Sequence, residues 1–329
     1  MRSGPLEKEE LIVNNWTDPA TIAEAHTWLR EAAATAGRRV TGPIGQPHIR
    51  PWSTVFRAPT DQGDVYLKLC GPSQEFEPAL TALLVRTAPD VVPVVLAIHP
   101  DQPWMLLADG GAKLRDALGG QALLDAWAEV LPRYADLQRR LLGRDDELLS
   151  CGTPDRRLDH LPADLGRALD DERIVSRATA ERLRELRPAI DAGARELASS
   201  GIGATTQHDD LHDANVLRKG ARTVVFDWGD ASLTHPFLSL GVLLRAAADR
   251  AGLARDDPAI VRLRSSYLEP WTALLPRPAI EEAATSAERL STLTRALTWY
   301  RVVTCDDGAL EGEPGVMAEY LALVIAAFG

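Results

Sequence analysis

The chain has 329 residues, of which 45% are hydrophobic and 25% are charged, so it is long enough for about two domains with a sizeable core. Its formal net charge of −11 disfavours general binding to nucleic acids or anionic membranes, because both require a basic surface. The three cysteines lie far apart without a C-x-x-C spacing, which indicates neither a disulfide framework nor a zinc site. The first residues contain no apolar stretch of signal-peptide type, and the most apolar runs are too short to cross a bilayer. We therefore expect a cytoplasmic protein without membrane partners.

The first third of the chain predicts a small sheet that carries helices. A helix is expected from Asp18-Pro19 to about Gly37, since aspartate suits the N-cap, proline the first turn and glycine the stop. Segments rich in β-branched and aromatic residues follow and predict strands, separated by one helical segment. In chain order these are strands at 39–44, 52–58 and 64–70, a helix at 75–87, and strands at 91–98 and 104–107.

The rest of the chain predicts mostly helices. Apolar residues recur at helical spacing in residues 123–142, 177–199, 238–251 and several later segments. Two short strands, at 215–218 and 223–226, interrupt this pattern around a polar loop. The turn Asp109-Gly110-Gly111 is the best boundary between the two parts. We therefore predict an α+β protein, with a β-sheet lobe in residues 1–109 and a larger, mainly helical lobe in residues 110–329.

A polar loop in the second part carries the strongest chemical pattern. Asp210 and Asn215 are separated by four residues, and Asp227 follows at the end of a short strand. Phosphoryl transfer needs a carboxylate to orient the attacking hydroxyl and hard oxygen ligands to hold magnesium. A hairpin between Asn215 and Asp227 would place both ligands under one nucleotide. A lone His-x-Asp pair is common in ordinary loops, but three such residues in this order favour a catalytic site.

These residues resemble the aminoglycoside phosphotransferase family of kinases. The family pattern His-Gly-Asp-Leu-His-Pro-Gly-Asn lies over residues 208–215, and its Ile-Asp-Trp or Ile-Asp-Phe strand end lies over residues 226–228. The resemblance extends from about residue 40 to residue 250. It implies a two-lobed, protein-kinase-like fold with ATP and Mg²⁺ as cofactors. It also implies that Asp210 is the catalytic aspartate and that Asn215 and Asp227 are the magnesium ligands.

The chain departs from the family pattern within the same loop. Asp209 stands where the family usually has glycine, and Asp213-Ala214 replaces Pro-Gly. Neither change removes a metal ligand, and the added carboxylates of Asp209 and Asp213 are candidates for contact with the acceptor. His212 and Asp230 are assigned to the architecture of the loop.

Nucleotide binding requires a cation for the phosphates. Lys68 lies in an apolar predicted strand, where burial of an unpaired ammonium would be costly. Its placement in the family suggests Glu77 on the following helix as the partner, with Glu75 as the alternative. A lysine that only extends to solvent is the competing interpretation, which the downstream motif disfavours.

Other nucleotide contacts are less well marked in the sequence. Residues 43–54 lack a glycine-rich phosphate loop, so Ser53 and Thr54 are either phosphate donors or ordinary strand residues. The segment 104–109, which includes Leu107 and Asp109, is expected to form the strand and hinge whose backbone meets adenine.

The acceptor is expected to bind in the helical lobe. The acidic residues Asp306, Asp307, Glu311 and Glu313 form either a rim that attracts a cationic acceptor or a solvated loop. The leading function is phosphorylation of a hydroxyl on an aminoglycoside or another polyhydroxylated compound. The alternatives are a metabolic kinase for a sugar, a choline-like or a homoserine-like alcohol, and a non-catalytic pseudokinase or nucleotide-binding module. The complete set of candidate residues argues against the pseudokinase.

Overall fold

The computed structural model describes residues 16–313 and 315–329. The N-terminal segment on which the signal-peptide expectation rests lies outside these described residues. The first element is helix α1 (Pro19–Thr35), whose cap is the predicted one: the carboxylate of Asp18 accepts a hydrogen bond of 2.9 Å from the backbone N–H of Thr21. Gly37 follows the helix with φ of 74°, in the left-handed region that favours glycine.

A five-stranded antiparallel sheet forms the first lobe, with the spatial order β1-β2-β3-β5-β4. Its elements are β1 (Gly45–Arg50), β2 (Ser53–Ala58), β3 (Val65–Cys70), helix α2 (Glu77–Thr87), β4 (Val95–Ile98) and β5 (Trp104–Ala108). Leu29 of α1 packs with Phe56, Leu67 and Leu106 in a core on one face of this sheet. Helix α2 connects β3 to β4, so its first turn lies next to the end of β3.

The position of the first strand corrects the prediction. The predicted strand at 39–44 is wrong, since only an isolated bridge between Val40 and Thr60 forms there. The edge strand is β1, whose sequence contains glycine, glutamine, proline and arginine. An edge strand pairs on one side only, so Pro47 costs no ladder hydrogen bond and the side chains need not be apolar. For this reason, β1 lacks the composition that marks the inner strands.

The second lobe is mainly helical and contains two small sheets. Strand β6 (Ala112–Lys113), which follows the predicted boundary, pairs with β8 in a three-stranded sheet of order β6-β8-β9, and β7 pairs with β10. Its strands are β7 (Thr205–Gln207), β8 (Val216–Lys219), β9 (Arg222–Val225) and β10 (Ser232–Thr234). Its helices are α3 (Leu114–Ala117), α4 (Gly120–Arg140), α5 (Asp145–Ser150), α6 (Leu161–Asp170), α7 (Arg177–Ala198), α8 (Ser239–Ala251), α9 (Pro258–Leu268), α10 (Arg277–Cys305), α11 (Ala309–Gly312) and α12 (Val316–Phe328). The predicted α+β fold class is confirmed.

The core of the helical lobe surrounds α10. This helix packs against α7, α8 and α12 and buries most of its length. Aromatic side chains from α4, α9 and the turns beside them fill the centre, and Trp127, Tyr134, Tyr267 and Trp271 are almost fully buried. Within the described residues, no helix is both long and apolar enough to cross a membrane.

Candidate active site

The hairpin β8–β9 brings the two predicted metal ligands together. The strands pair Val216 with Val225, and the N–H of Phe226 donates to the carbonyl of Asn215 at 3.1 Å. Asn215 lies just before β8 and Asp227 lies just after β9, so the two residues are at the same end of the hairpin. Asp227 has φ of 67°, a left-handed conformation that aspartate tolerates better than most residues. This is the arrangement that the sequence predicted for the two residues.

Donors from the loop itself hold the carboxylate of Asp210. One oxygen lies 3.1 Å from the amide nitrogen of Asn215 and 3.3 Å from Nε2 of His212. Nδ1 of His212 accepts the N–H of Ala214, so Nε2 carries the proton and faces Asp210. The side chain of Asp210 is 23% exposed and remains open to solvent on one side.

His208 links the loop that carries Asp210 to the residues after β9. Its ring is fully buried and packs against Trp228, with ring centroids 4.8 Å apart and planes tilted by 49°, and its Nε2 lies 2.9 Å from the carbonyl oxygen of Phe226. Nδ1 accepts the N–H of Asp210, so Nε2 is the protonated nitrogen. Burial lowers the pKa of His208, which keeps the ring neutral. The histidine ties the catalytic loop to the strand end that carries Asp227.

Lys68 bridges the two lobes. Its ammonium lies 2.5 Å from the carboxylate of Glu77 and 2.5 Å from that of Asp227, while Glu75 forms no ion pair with it. Glu77 is fully buried, and its other oxygen accepts the N–H of Trp228 at 3.0 Å. Burial alone would lower the pKa of Lys68, but the carboxylates of Asp227 and Glu77 raise it well above the usual value. The ammonium therefore stays charged at the mouth of the cleft.

The donor set of the hairpin fits magnesium. The amide nitrogen of Asn215 donates to the carbonyl and the carboxylate of Asp210, so the amide oxygen points the other way. Asp227 presents a half-exposed carboxylate with one oxygen on Lys68. Burial would raise the pKa of Asp227, but Lys68 lowers it, so the carboxylate is ionised. One carboxylate and one amide oxygen are hard ligands of the kind Mg²⁺ prefers.

The structure adds a residue that the sequence analysis missed. Arg295 of α10 is almost fully buried, and its guanidinium lies 2.9 Å from Asp210 and 2.5 Å from Asp230. Burial would raise the pKa of Asp210, but Arg295 and His212 lower it to about 2. The neighbours one turn away on α10, Ser291 and Thr298, are polar, so the sequence did not mark this face of the helix as buried. The partner itself was not readable from the sequence.

Asp209 and Asp213 do not face an acceptor, which corrects their prediction. Asp209 is 1% exposed, has φ of 60°, and accepts hydrogen bonds from Gln207 and from Thr294 of α10. Its left-handed backbone is the reason that the family usually has glycine there. Asp213 is buried and pairs with Arg115 at 2.8 Å and with Arg250 at 3.3 Å. Both carboxylates hold the loop to its surroundings.

The acidic rim also differs from the prediction. Asp306 is only 3% exposed, and its carboxylate accepts the N–H of Ser73 at 3.3 Å, so it joins the lobes and does not face solvent. Asp307 and Glu311 are exposed, and Glu313 is half-buried. A role for Asp307 toward a cationic acceptor stays a prediction.

Ser53 and Thr54, the two predicted phosphate donors, are buried in strand β2. Thr54 is fully buried, and its hydroxyl donates to the carbonyl of His48 and accepts from Gln46. Ser53 is 2% exposed, and both residues belong to strand β2. Their burial favours the interpretation as strand residues, and a phosphate contact of either stays a prediction.

The predicted hinge lies at the junction of the lobes. Leu107 belongs to β5 and pairs with Tyr66 and Val95. The carboxylate of Asp109 accepts the N–H of Gly111 at 2.9 Å and lies 3.0 Å from the ammonium of Lys219. The side chain of Asp109 therefore fixes the turn, and a backbone contact of this segment with adenine stays a prediction.

The sequence profile of the phosphotransferase enzyme family, which includes the aminoglycoside phosphotransferases, matches residues 47–277. The match covers more than half of the chain and includes Lys68, Asp210, Asn215 and Asp227. The chain belongs to this phosphotransferase family. The predicted family and the predicted enzyme class, a phosphotransferase with an alcohol group as acceptor, are confirmed. A search of curated proteins finds no significant match.

Solved structures of several kinases share the fold. Choline kinase LicA from Streptococcus pneumoniae matches with a TM-score of 0.61 at 12% identity, over 93% of this chain and 99% of that one. Macrolide 2'-phosphotransferase MphH from Brachybacterium faecium matches with a TM-score of 0.56 at 19% identity, over 92% and 98%. A thermostable mutant of aminoglycoside phosphotransferase APH(4)-Ia, in complex with ADP and hygromycin B, matches with a TM-score of 0.56 at 14% identity, over 91% and 97%. At these low sequence identities, the structural similarity shows that the chain shares the fold of these kinases.

Proposed function

We propose that this phosphotransferase moves the γ-phosphoryl group of ATP, with magnesium, to a hydroxyl of a polyhydroxylated small molecule. One observation carries the proposal: Lys68 of β3 pairs with Glu77 of α2 and with Asp227, and Asp227 lies at the end of the same hairpin that begins at Asn215, which holds Asp210. A cation for phosphate, oxygen ligands for a metal and a carboxylate for the hydroxyl thus meet in one cleft. This is the set of groups that phosphoryl transfer requires.

Each residue of the cleft has a defined task in this proposal. Asp210 accepts a hydrogen bond from the acceptor hydroxyl and orients its oxygen toward the γ-phosphorus. Transfer forms the bond between these two atoms, breaks the bond from phosphorus to the β–γ bridging oxygen, and moves the hydroxyl proton toward Asp210. The carboxylate is strongly ionised, so its main contribution is orientation and not basicity.

On the nucleotide side of the cleft, the proposed groups bind and neutralise the negative charge of the phosphates. Lys68 pairs with phosphate oxygens while Glu77 keeps the ammonium in place. Asn215 and Asp227 would hold magnesium, which would neutralise charge that develops on the phosphates. Asp227 is the ligand that contributes charge, so its loss should weaken the metal-dependent part of nucleotide binding.

Formation of ADP tests the proposal. Purified protein with ATP and magnesium is offered hygromycin B, a macrolide, choline and ethanolamine, which appear in the names of proteins that share the fold, and neutral sugars as uncharged polyhydroxylated compounds. Apart from slow hydrolysis by water, ADP should form only with both an acceptor and magnesium, and Asp227→Asn should weaken the magnesium dependence of nucleotide binding. Asp256→Asn removes an exposed carboxylate and should change neither.

One outcome would favour a different class of function. If the protein binds nucleotide and magnesium but forms no ADP with any acceptor, the proposal is wrong and a pseudokinase is favoured. The predicted acceptor classes are separated by the same panel, since sugars, amino alcohols and antibiotics are measured side by side.

A further inference from the structure

Arg295 contacts the side of Asp210 that faces the helical lobe. It extends from α10, and one terminal nitrogen lies 2.9 Å from Asp210 while the other lies 2.5 Å from Asp230. Only 6% of its side chain is exposed, and its Nε is buried without a hydrogen-bond partner. Such a two-carboxylate bridge fixes the rotamer of both aspartates, because a planar guanidinium donates in fixed directions.

Aromatic rings surround the same guanidinium. It lies 5.4 Å from the ring of Trp299 and 5.8 Å from that of Tyr320, so it already occupies the faces on which a substrate cation would stack. Trp52, from the turn between β1 and β2, meets Trp299 edge-on at 5.5 Å. The cleft beside Asp210 is thus lined by half-buried aromatic rings and a protein cation.

The carboxylates near this cleft already have donors from the protein. Arg295 is shared between Asp210 and Asp230, and Asp209 accepts from Gln207 and Thr294. A second arginine, Arg301, is half-buried and donates to the carbonyl of Gly229 at 3.0 Å. Burial lowers the pKa of Arg301 only to about 10, so it remains a cation at neutral pH. The carboxylates of Asp209, Asp210 and Asp230 are therefore already bound by protein donors, and two arginine cations lie among them.

We propose that Arg295 is a positioning residue for Asp210 and that it makes this site select uncharged hydroxyl compounds over amino alcohols. The inference rests on the proposed function, because it concerns the acceptor of that same transfer. A hydroxyl bonded to Asp210 at about 3 Å lies within about 6 Å of the guanidinium. An ammonium on the neighbouring carbon would lie in the same partly buried space, where two cations repel with little screening.

Two alcohols of equal shape test the selectivity. Choline and 3,3-dimethylbutan-1-ol differ only by a quaternary nitrogen in place of a carbon, so their kcat/KM ratio reports charge alone. ADP formation with each is measured for wild type, Arg295→Met and Arg295→Lys. Hydrolysis of ATP by water, the smallest neutral acceptor, is measured in the same assay. Arg289→Met, which removes an exposed arginine of the same helix, is the matched control.

The proposal predicts a different result for each variant. Wild type should prefer the neutral alcohol by about tenfold or more, and Arg295→Met should reduce that preference severalfold. Both Arg295 variants should lower kcat for the neutral alcohol and for water by about tenfold to hundredfold, while the KM for ATP changes less than about threefold. Arg295→Lys should keep the preference for the neutral alcohol, because it retains the charge but loses the bridge.

Opposite results would overturn the proposal. A wild-type preference for choline, or an unchanged ratio in Arg295→Met, contradicts the selectivity, and wild-type hydrolysis rates in both variants contradict the positioning. If Arg295→Met does not fold, the double variant Arg295→Met/Asp230→Asn removes the stranded carboxylate, and Arg295→Lys still tests the positioning. Failure of the proposed function is distinct, since it would appear as no ADP formed by wild type with either alcohol or with any other acceptor.

Discussion

Asp209 and Asp227 both hold their backbones in the left-handed region, with φ of 60° and 67°. Aspartate accepts this conformation at moderate cost, and Asp227 adopts it at the position proposed for a metal ligand. Asp209 has no such task in the proposed mechanism. Its carboxylate is buried, and burial raises its pKa to about 6 although Arg295 opposes the shift. Stability should therefore depend on pH through this residue.

Asp209→Asn is expected to remove that dependence. The folded protein binds a proton at Asp209 more tightly than the unfolded chain, so the stability from this group is present below about pH 4 and is lost as pH rises through about 6. Relative to wild type, Asp209→Asn should gain about 1 to 2 kcal/mol in unfolding free energy between pH 5 and pH 8. Urea unfolding at both pH values measures this. Equal pH dependence in the two proteins would show that Asp209 titrates normally.

Lys68 offers a second prediction, about stability. Lys68→Met leaves Glu77 buried without its cation, which should cost about 3 kcal/mol. Burial already raises the pKa of Glu77, so the loss should grow as pH rises and the unpaired carboxyl must ionise.

The double variant Lys68→Met/Glu77→Gln is the control for this prediction. Glutamine keeps an oxygen for the N–H of Trp228 but carries no charge. Chemical unfolding should show that it recovers most of the lost stability. A double variant no more stable than Lys68→Met would mean that charge is not the cause.

At the scale of elements, the contact between α8 and α10 sets the position of Arg295. Gly241 of α8 faces Ser291 of α10, one turn before Arg295, and a Cβ at Gly241 would lie 1.7 Å from the hydroxyl oxygen of Ser291. The glycine is therefore needed for close approach and not for backbone conformation. The two helices can pack at this distance only without a side chain there.

Gly241→Ala should consequently destabilise the protein by about 1 to 3 kcal/mol through overpacking. Because α10 must shift, transfer should also slow. Gly166→Ala in α6 is the control, since its Cβ would approach only Arg187, at 3.5 Å, and loss of a helical glycine should stabilise by about 0.5 to 1 kcal/mol. Thermal unfolding of both variants is the measurement. Equal effects of the two substitutions would contradict the close packing of α8 on α10.

Local patterns and distant contacts differ in how far the sequence reveals them. The cap at Asp18 and the hairpin between Asn215 and Asp227 were predictable, because each depends on residues close in the chain. Strand β1 was not, since an edge strand exposes its side chains and carries no apolar signal. The contact of Arg295 with Asp210 joins residues far apart in the chain and depends on helix packing. The sequence marks neither the burial of this arginine nor its partner.

Across the whole molecule, helix α10 and its neighbours join the two lobes. Arg301 lies over the ring of Phe76 at 5.2 Å, and the N–H of Ser73 donates to Asp306 just after α10. The chain carries a net charge of −11, but the acidic residues around Asp210 are paired within the protein. Global charge therefore did not predict the local charge of the cleft.

The central claim is that Asp210 acts on the acceptor and not on the nucleotide. Asp210→Asn keeps the shape and a hydrogen-bond acceptor for Arg295, so the fold and the affinity for ATP with magnesium should change little. Phosphoryl transfer to the best acceptor should fall by about a hundredfold to ten-thousandfold. Parallel calorimetry of nucleotide binding and assay of the phosphorylated product measure both quantities on one preparation. Near wild-type transfer, or loss of nucleotide binding in a folded variant, would contradict the account.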